Sequence, residues 1–249
     1  MKHSVQIYSI RDAGDFDTQL ALLRKVGFEW VESVATHGLA PVEFAAKLQQ
    51  YGLKLSSMHA SLGLVENERA TLVEACKLTG CPLVVMPYLV NGDRPRSAAG
   101  WRAMGERLGV VGRAFAAEGI RFAYHNHDWE FLTYDGKYAL EWLFDGAPAA
   151  DVAWEMDVGW IVRAGQSPCK WETQFGDRIV AIHAKEISPE GVAIEEDGWA
   201  PLGGGNAPWQ ELFPILRKRT DLYVFEHDNP KDFEARLSES LAYMRQNFR

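Results

Sequence analysis

Short apolar segments alternate with longer amphipathic segments along the whole chain, and this alternation limits the possible fold more than any other feature. Glycines at positions 27, 52, 80 and 119 each follow an amphipathic segment and precede an apolar one. Glycine is favoured just after a helix because it adopts the left-handed backbone conformation without strain. The pattern therefore predicts a series of strands, each followed by a helix.

The predicted elements form eight strand–helix units. The strands are predicted over Val5–Ile10, Phe28–Val34, Leu53–His59, Leu83–Pro87, Ile120–His127, Val152–Val158, Ile179–Ile187 and Leu222–His227. The helices are predicted over Asp17–Val26, Pro41–Tyr51, Glu66–Thr79, Ala98–Glu118, Tyr138–Phe144, Lys170–Phe175, Trp209–Arg219 and Lys231–Phe248. Units of about 30 residues in a chain of this length are typical of a (β/α)8 TIM barrel.

The main alternative is an open, doubly wound α/β sheet. Such a sheet would need a GxGxxG loop after its first strand, where this chain has Ser9-Ile10-Arg11-Asp12. Because no Pro-rich or Ser-rich linker divides the chain, we predict a single barrel domain over residues 1–249.

The composition excludes several classes of partner. The chain has 26 Lys and Arg against 34 Asp and Glu, a net charge of −8, and no basic run longer than Arg217-Lys218-Arg219. Such a chain neutralises phosphate backbones poorly, so we expect neither nucleic acid nor a membrane as partner. The three cysteines form no disulfide framework and no leader segment is recognisable, so we expect a cytoplasmic protein. The sequence is compatible with a homo-oligomer.

Ionisable residues collect at the predicted ends of the last four strands. In a parallel barrel these ends meet at one face, which is where active sites lie. Alternate residues of a strand share a face, so His125 is grouped with His127, Glu155 with Asp157, and His183 with Lys185. The other strand-end residues with polar or aromatic side chains are Tyr8, Arg11, Glu32, His59, Tyr88, Asn126, Glu186, Glu226, His227 and Asp228.

Several buried carboxylates on one face must be paired or bound to metal, because uncompensated burial of charge is costly. Asp157, His183 and Glu226, with one ligand from the fifth strand, could surround one divalent cation. Oxygen and imidazole donors without thiolate suit Mn²⁺, Mg²⁺, Fe²⁺ or Zn²⁺. The alternative is that each of these groups only makes hydrogen bonds within the protein.

Five segments, in this order, resemble the sugar phosphate isomerase/epimerase family of xylose-isomerase-like TIM barrels. They are YHNHDWEF (124–131), EMDVGW with RAG downstream (155–165), IHAKE (182–186), PLGGGN followed by PW (201–209), and FEHD (225–228). The resemblance implies a divalent metal held by the fifth to eighth strands, with Asp157, His183 and Glu226 as ligands. At the fifth strand, His125 stands where the family more often has Glu. We favour His125 as the fourth ligand, and Glu130 is the alternative.

The resemblance also implies the chemistry, which is proton transfer beside the carbonyl of a sugar or keto-sugar. The proton would move through an enediolate, giving isomerisation or epimerisation; a leaving group next to the carbanion would instead give a lyase or hydratase. We expect Glu155 or Glu130 to abstract the proton, with His127 and His59 as imidazole alternatives. Lys185 would bind a substrate hydroxyl or transfer a proton, unless it forms a salt bridge to Glu155 or Glu186.

The remaining expectations concern the substrate. Trp160 and Trp199, on predicted loops, are expected to form walls of the pocket with His59 and Arg11, whereas Trp154 and Trp209 are expected in the core. The glycines at 203–205 could hold a phosphate, but few basic residues stand near the site, which favours an unphosphorylated sugar or keto-glycoside. A non-catalytic sugar-binding barrel is the rival function, and a DNA-repair endonuclease would need a basic face that the chain lacks.

Overall fold

The computed structural model describes residues 1–249 and contains a closed barrel of parallel strands. The strands are β1 Lys2–Gln6, β2 Trp30–Val34, β3 Lys54–His59, β4 Leu83–Met86, β5 Arg121–His125, β6 Ala153–Asp157, β7 Ile179–Ala184 and β8 Leu222–Phe225. Each strand pairs with its neighbours in the chain, and β1 closes the barrel by pairing with β8. The predicted (β/α)8 fold is confirmed.

Helices cover the outside of the barrel. They are α1 Phe16–Val26, α2 Pro41–Gln50, α3 Leu62–Asn67, α4 Arg69–Thr79, α5 Ala98–Ala116, α6 Ala139–Asp145, α7 Val158–Arg163, α8 Pro168–Phe175, α9 Trp209–Leu216 and α10 Phe233–Asn247. Gly27 and Gly80 directly follow α1 and α4 with φ of 106° and 69°. Both are left-handed, as the predicted helix ends require. No helix combines the length and apolar character needed to cross a membrane.

Most predicted bounds shift by a few residues, and three predicted elements contain a break or a change of secondary structure. The first strand is Lys2–Gln6, because Ile7–Ile10 forms a 3-10 turn in which the Gln6 side chain accepts a hydrogen bond from the Tyr8 N–H. The seventh strand ends at Ala184, after which Glu186–Ile187 pairs antiparallel with Trp199–Ala200. The predicted helix Glu66–Thr79 is divided into α3 and α4. Apolar periodicity alone does not show these breaks.

The core has two layers, one inside the barrel and one between the strands and helices. The inner layer is small and consists of Leu83, Val85, Ala123, Ala153, Ala181, Leu222 and Val224. The outer layer contains 56 buried residues and includes Tyr124, Trp154 and Ile182, which are the strand neighbours of inner residues. Because side chains alternate along a strand, this division shows which strand-end residues face the barrel axis.

Candidate metal centre

Five ionisable residues continue the inner face of the barrel toward its C-terminal mouth. His125 lies two positions after Ala123, Glu155 and Asp157 follow Ala153, His183 follows Ala181, and Glu226 follows Val224. All five are buried, and the first four have an exposed fraction of 1% or less. The structure therefore brings together the predicted ligands of the fifth to eighth strands.

Four of these residues form what we call the upper ligand group: His125, Asp157, His183 and Glu226. Their candidate ligand atoms all lie within 4.8 Å of one another. His183 Nδ1 is 3.4 Å from Glu226 Oε2 and 3.8 Å from Asp157 Oδ2, and His125 Nε2 is 3.7 Å from Asp157 Oδ2. These separations are longer than good hydrogen bonds.

The upper ligand group fits a divalent cation. Asp157 Oδ2 and His183 Nδ1 are buried without any hydrogen-bond partner in the protein, which is costly unless something else contacts them. Ligand atoms about 2.1 Å from a tetrahedral cation lie about 3.4 Å apart, close to the separations found here. Two carboxylates and two imidazoles also form a donor set that Zn²⁺, Mn²⁺ and Fe²⁺ accept.

Beneath the upper ligand group lies a second polar layer, which we call the lower layer: Glu32, His59 and Glu155. His59 Nε2 is 2.7 Å from Glu155 Oε2 and 2.9 Å from Glu32 Oε1. Glu32 also receives a hydrogen bond of 2.8 Å from the Gln6 side-chain amide. The lower layer is thus held by short hydrogen bonds, unlike the upper ligand group.

The two layers differ in their balance of charge. In the lower layer burial opposes ionisation, but His59 and His183 hold the pKa of Glu32 well below its usual range. Burial likewise disfavours charged His59, yet Glu32 and Glu155 raise its pKa to about 9. In the upper ligand group, burial raises the pKa of Asp157 to about 7, because its Oδ2 faces no protein donor. Within the upper ligand group, Asp157 Oδ2 is therefore the carboxylate oxygen that lacks a compensating donor.

Lys185 is buried beside the upper ligand group. Its Nζ donates to Glu226 Oε2 at 2.8 Å and to Asp228 Oδ1 at 2.5 Å. Burial would lower the pKa of Lys185, but Asp228 and Glu226 raise it above its usual value. The alternative salt bridges proposed from the sequence, to Glu155 or Glu186, were wrong, because those carboxylates are engaged with other groups.

Glu130 lies away from both layers. Tyr124, which faces the helices, donates its hydroxyl hydrogen to Glu130 Oε1 at 2.5 Å, and the His127 N–H donates to Oε2 at 2.8 Å. Burial raises the pKa of Glu130 to about 7. Since both oxygens are committed on the outer side of β5, the structure does not bring this predicted base or alternative ligand to the cluster.

The wall of the mouth beside β5 and β6 is aromatic. The His127 ring stacks on Trp129 with centroids 4.2 Å apart and lies 4.9 Å from Trp160. The Arg94 guanidinium also packs on Trp129, with its carbon 3.5 Å from the ring centroid. Trp160 is half-buried in the first turn of α7 and not on a loop as predicted.

Three other residues predicted to bind substrate occupy different surroundings. Trp199 lies in the two-residue strand Trp199–Ala200 and is fully buried under Arg163 and Lys185, so the prediction that it forms a pocket wall was wrong. Arg11 is exposed over the ring of Tyr8 and pairs with Asp12. His59, with an exposed fraction of 6%, belongs to the lower layer. Trp154 and Trp209 are buried, as the sequence suggested.

The glycine-rich segment holds a carboxylate of the protein itself. Glu186 accepts hydrogen bonds from the backbone N–H groups of Gly203 and Ala207 and from the Trp209 indole. A methyl group at Gly205 would collide with the carbonyl of Ile187, which explains the need for glycine there. Of the donors that could have cradled a phosphate, the Gly203 N–H is engaged with Glu186 and the Gly204 N–H with the Pro201 carbonyl.

Sequence reasoning named Glu32 and Asp228 only as strand-end residues without a role and did not name Arg94, although all three lie in or around the site. Of the three, Glu32 was the easiest to recognise from the sequence as a site residue, because a charged residue inside an apolar strand needs a partner. Its partners, however, come from β3 and β7, and His183 is 151 positions away. Nothing in the local sequence identifies such a partner.

A closed parallel barrel with buried carboxylates and imidazoles at its C-terminal mouth defines a TIM-barrel protein with a candidate metal centre. The chain belongs to the xylose isomerase-like TIM barrel family, whose model matches residues 20–247. No curated protein compared with the chain by sequence matches it significantly.

Solved structures share the fold at low identity. A sugar phosphate isomerase/epimerase from Parabacteroides distasonis ATCC 8503 is 21% identical, with a TM-score of 0.78 over 98% of this chain and 93% of that one. The IolI protein, solved with a bound zinc atom, is 15% identical, with a TM-score of 0.77 over 100% and 98%. D-psicose 3-epimerase from Clostridium cellulolyticum H10, solved with D-tagatose, is 14% identical, with a TM-score of 0.71 over 100% and 99%.

Proposed function

We propose that this protein is a divalent-metal-dependent isomerase or epimerase that moves a proton beside the carbonyl of a sugar or keto-sugar. The observation that carries the proposal is the upper ligand group, in which Asp157 Oδ2 and His183 Nδ1 face one another at the barrel mouth without a protein partner. The names of the related structures, an isomerase/epimerase, a zinc-bound protein and a ketose epimerase, support it.

The metal would be held by His125, Asp157, His183 and Glu226. A divalent cation there supplies Lewis acidity, which polarises a carbonyl and stabilises the negative charge of an enediolate. His125 is the fourth ligand in this proposal, because its Nε2 faces Asp157 whereas Glu130 is bound on the outer side of β5. The cation would be Zn²⁺, Mn²⁺, Fe²⁺ or Mg²⁺.

His127 and Lys185 are the proposed acid and base. The His127 ring forms part of the mouth wall, and its Nδ1 is buried without a partner. Lys185 Nζ lies beside Glu226 and can hold or return a proton at the mouth. Glu155 is not the base in this proposal, because its Oε2 contacts His59, His125 and His183 beneath the ligands.

Solvent exchange tests the proposal. Purified protein loaded with Zn²⁺ or Mn²⁺ is incubated with a panel of free ketoses in ²H₂O, and the recovered sugars are examined by mass spectrometry. We expect deuterium on the carbon beside the carbonyl, and loss of exchange after chelation. His127→Gln and Lys185→Met should each lower exchange about 100-fold or more.

Glu172→Gln is the matched control, because this buried carboxylate pairs with Arg219 on the outside of the barrel, and it should retain exchange. Loaded protein that binds ketoses without any exchange would contradict the enzyme and indicate a sugar-binding barrel. A product lacking the elements of water would instead identify a dehydratase acting through the same proton abstraction.

A further inference from the structure

Both imidazoles of the upper ligand group use their second nitrogen to contact a carboxylate of the lower layer. His183 turns Nδ1 toward Glu226 and Asp157, whereas its Nε2 lies 2.6 Å from Glu32 Oε1. His125 turns Nε2 toward Asp157, whereas its Nδ1 lies 3.1 Å from Glu155 Oε2. Each ring therefore connects the two layers through opposite nitrogens.

A carboxylate next to one ring nitrogen determines which nitrogen carries the hydrogen. The carboxylate accepts from the adjacent N–H, so the opposite nitrogen keeps its lone pair free for a cation. The same hydrogen bond fixes the orientation of the ring. Glu32 would act in this way on His183, and Glu155 on His125.

The lower carboxylates are themselves held in place. Gln6 donates to Glu32, and His59 lies between Glu32 and Glu155 at 2.9 Å and 2.7 Å. Residues of β1, β2, β3 and β6 therefore support ligands on β5 and β7. The supporting side chains lie on strands of the barrel rather than on the loops at its mouth.

The lower layer could alternatively be a second cation site, since His59, His125, Glu155 and His183 also have ligand atoms close together. The distances argue against this. Lower-layer contacts span 2.6 to 3.2 Å, as hydrogen bonds do, whereas those of the upper ligand group span 3.4 to 3.8 Å. A second cation would have to replace hydrogen bonds that are already made.

We propose that Glu32 and Glu155 are positioning residues of the metal centre, which hold His183 and His125 in the ring orientation and hydrogen placement that cation binding requires. The proposal rests on the metal centre of the proposed function. It assigns no contact with substrate to either carboxylate. It predicts that the affinity for the cation depends on both Glu32 and Glu155.

Cobalt binding tests this inference without reference to activity. Metal-free wild-type protein, Glu32→Gln and Glu155→Gln are titrated with Co²⁺ in competition with a chromophoric chelator, and the visible spectrum of bound Co²⁺ is recorded. Glutamine keeps the size of the side chain but loses its charge and offers an amide that can donate. We expect each variant to bind Co²⁺ about 10–100-fold more weakly, with a changed spectrum.

Glu172→Gln is the matched control. Glu172 is also a buried carboxylate, but it pairs with Arg219 on the outside of the barrel. It should bind Co²⁺ as the wild type does. Thermal unfolding of the metal-free proteins separates the two effects, because a purely structural role would lower stability and leave the affinity and spectrum of the folded protein unchanged.

Three results would overturn the inference. Unchanged affinity in both folded variants would show that the carboxylates do not position the ligands. Two Co²⁺ ions per wild-type chain, falling to one in Glu32→Gln, would make Glu32 a ligand. A wild type that binds no divalent cation would remove the metal centre altogether, whereas a wild type that binds Co²⁺ but exchanges no sugar proton would overturn only the proposed reaction.

Discussion

At the scale of single residues, Tyr124 and Glu130 show how strand alternation separates a buried carboxylate from the site. Their hydrogen bond lies in the outer core, one residue from His125 on the inner face. A neutral partner and a fixed backbone donor satisfy both carboxylate oxygens. This arrangement stabilises the start of the loop after β5 and leaves no oxygen for chemistry.

Removing the Tyr124 hydroxyl should be costly. Tyr124→Phe leaves a buried carboxylate oxygen unsatisfied, so we expect unfolding to be easier by about 1–3 kcal/mol. In the Tyr124→Phe protein, Glu130→Gln should lower the unfolding free energy by less than it does in the wild type, because the two side chains share one interaction. Urea unfolding measures both effects.

Tyr223→Phe is the matched control for that change. Tyr223 is fully buried and its hydroxyl has no partner, so its removal should be neutral or stabilising. Equal losses for Tyr124→Phe and Tyr223→Phe would contradict the importance of the Glu130 hydrogen bond.

His37 should make stability depend on pH. Its ring stacks on Phe16 at 4.3 Å, and burial lowers its pKa from 6.5 to about 4. The unfolded chain therefore binds a proton between pH 6.5 and 4 that the folded protein does not, so this contribution to stability is complete above 6.5 and is lost as the pH falls.

His37→Asn isolates the effect, and asparagine tolerates the left-handed backbone at this position. The unfolding free energy of the wild type should fall relative to the variant by up to about 3 kcal/mol between pH 7 and 4. Denaturant unfolding at several pH values measures the difference. Parallel curves would show that His37 does not titrate differently in the folded state.

The predicted strand ends were enough to group Asp157, His183 and Glu226 from the sequence, and the family resemblance added His125 as the favoured fourth ligand. These arguments were not enough to place Glu32 beneath the ligands or Glu130 outside. Glu32 meets His183 across the barrel, and Glu130 turns back in a loop. Contacts of this kind depend on closure of the sheet and on loop geometry, which periodicity does not contain.

At the scale of elements, α5 approaches α6 closely because glycines replace side chains at the crossing. A methyl group at Gly105 would collide with the carbonyl oxygen of Leu143 in α6, and one at Gly112 would collide with that of Asp151, in the segment between α6 and β6. Periodicity predicted the extent of α5 closely but could not indicate this packing. Glycines in mid-helix weaken the isolated helix, so the contact between helices must compensate.

Gly105→Ala should separate the two helices. We expect a loss of about 1–3 kcal/mol of unfolding free energy, although alanine is the better helix former. Gly63→Ala in α3 is the control, since nothing lies within 4 Å of its added methyl group, and it should gain up to about 1 kcal/mol. Chemical unfolding compares them, and a neutral Gly105→Ala would show that α5 and α6 can move apart freely.

At the scale of the whole molecule, the upper ligand group joins side chains from four consecutive strands of the second half of the barrel. A cation there would connect β5, β6, β7 and the end of β8, and it would bind the folded chain only, since the ligands are far apart in the sequence. Binding of this kind stabilises the folded state in proportion to the logarithm of cation concentration.

Thermal unfolding should therefore respond to divalent cations. At a free concentration about 100 times Kd the gain is about 2.7 kcal/mol, which raises Tm by roughly 5–10 °C in a chain of this size. Asp157→Asn should abolish the rise, because it removes one of the two carboxylates of the upper ligand group. Without added cation the variant should be at least as stable as the wild type, since burial of the ionised Asp157 carboxylate is unfavourable. Glu130→Gln should keep the full rise; the same rise in Asp157→Asn would place the cation elsewhere on the protein.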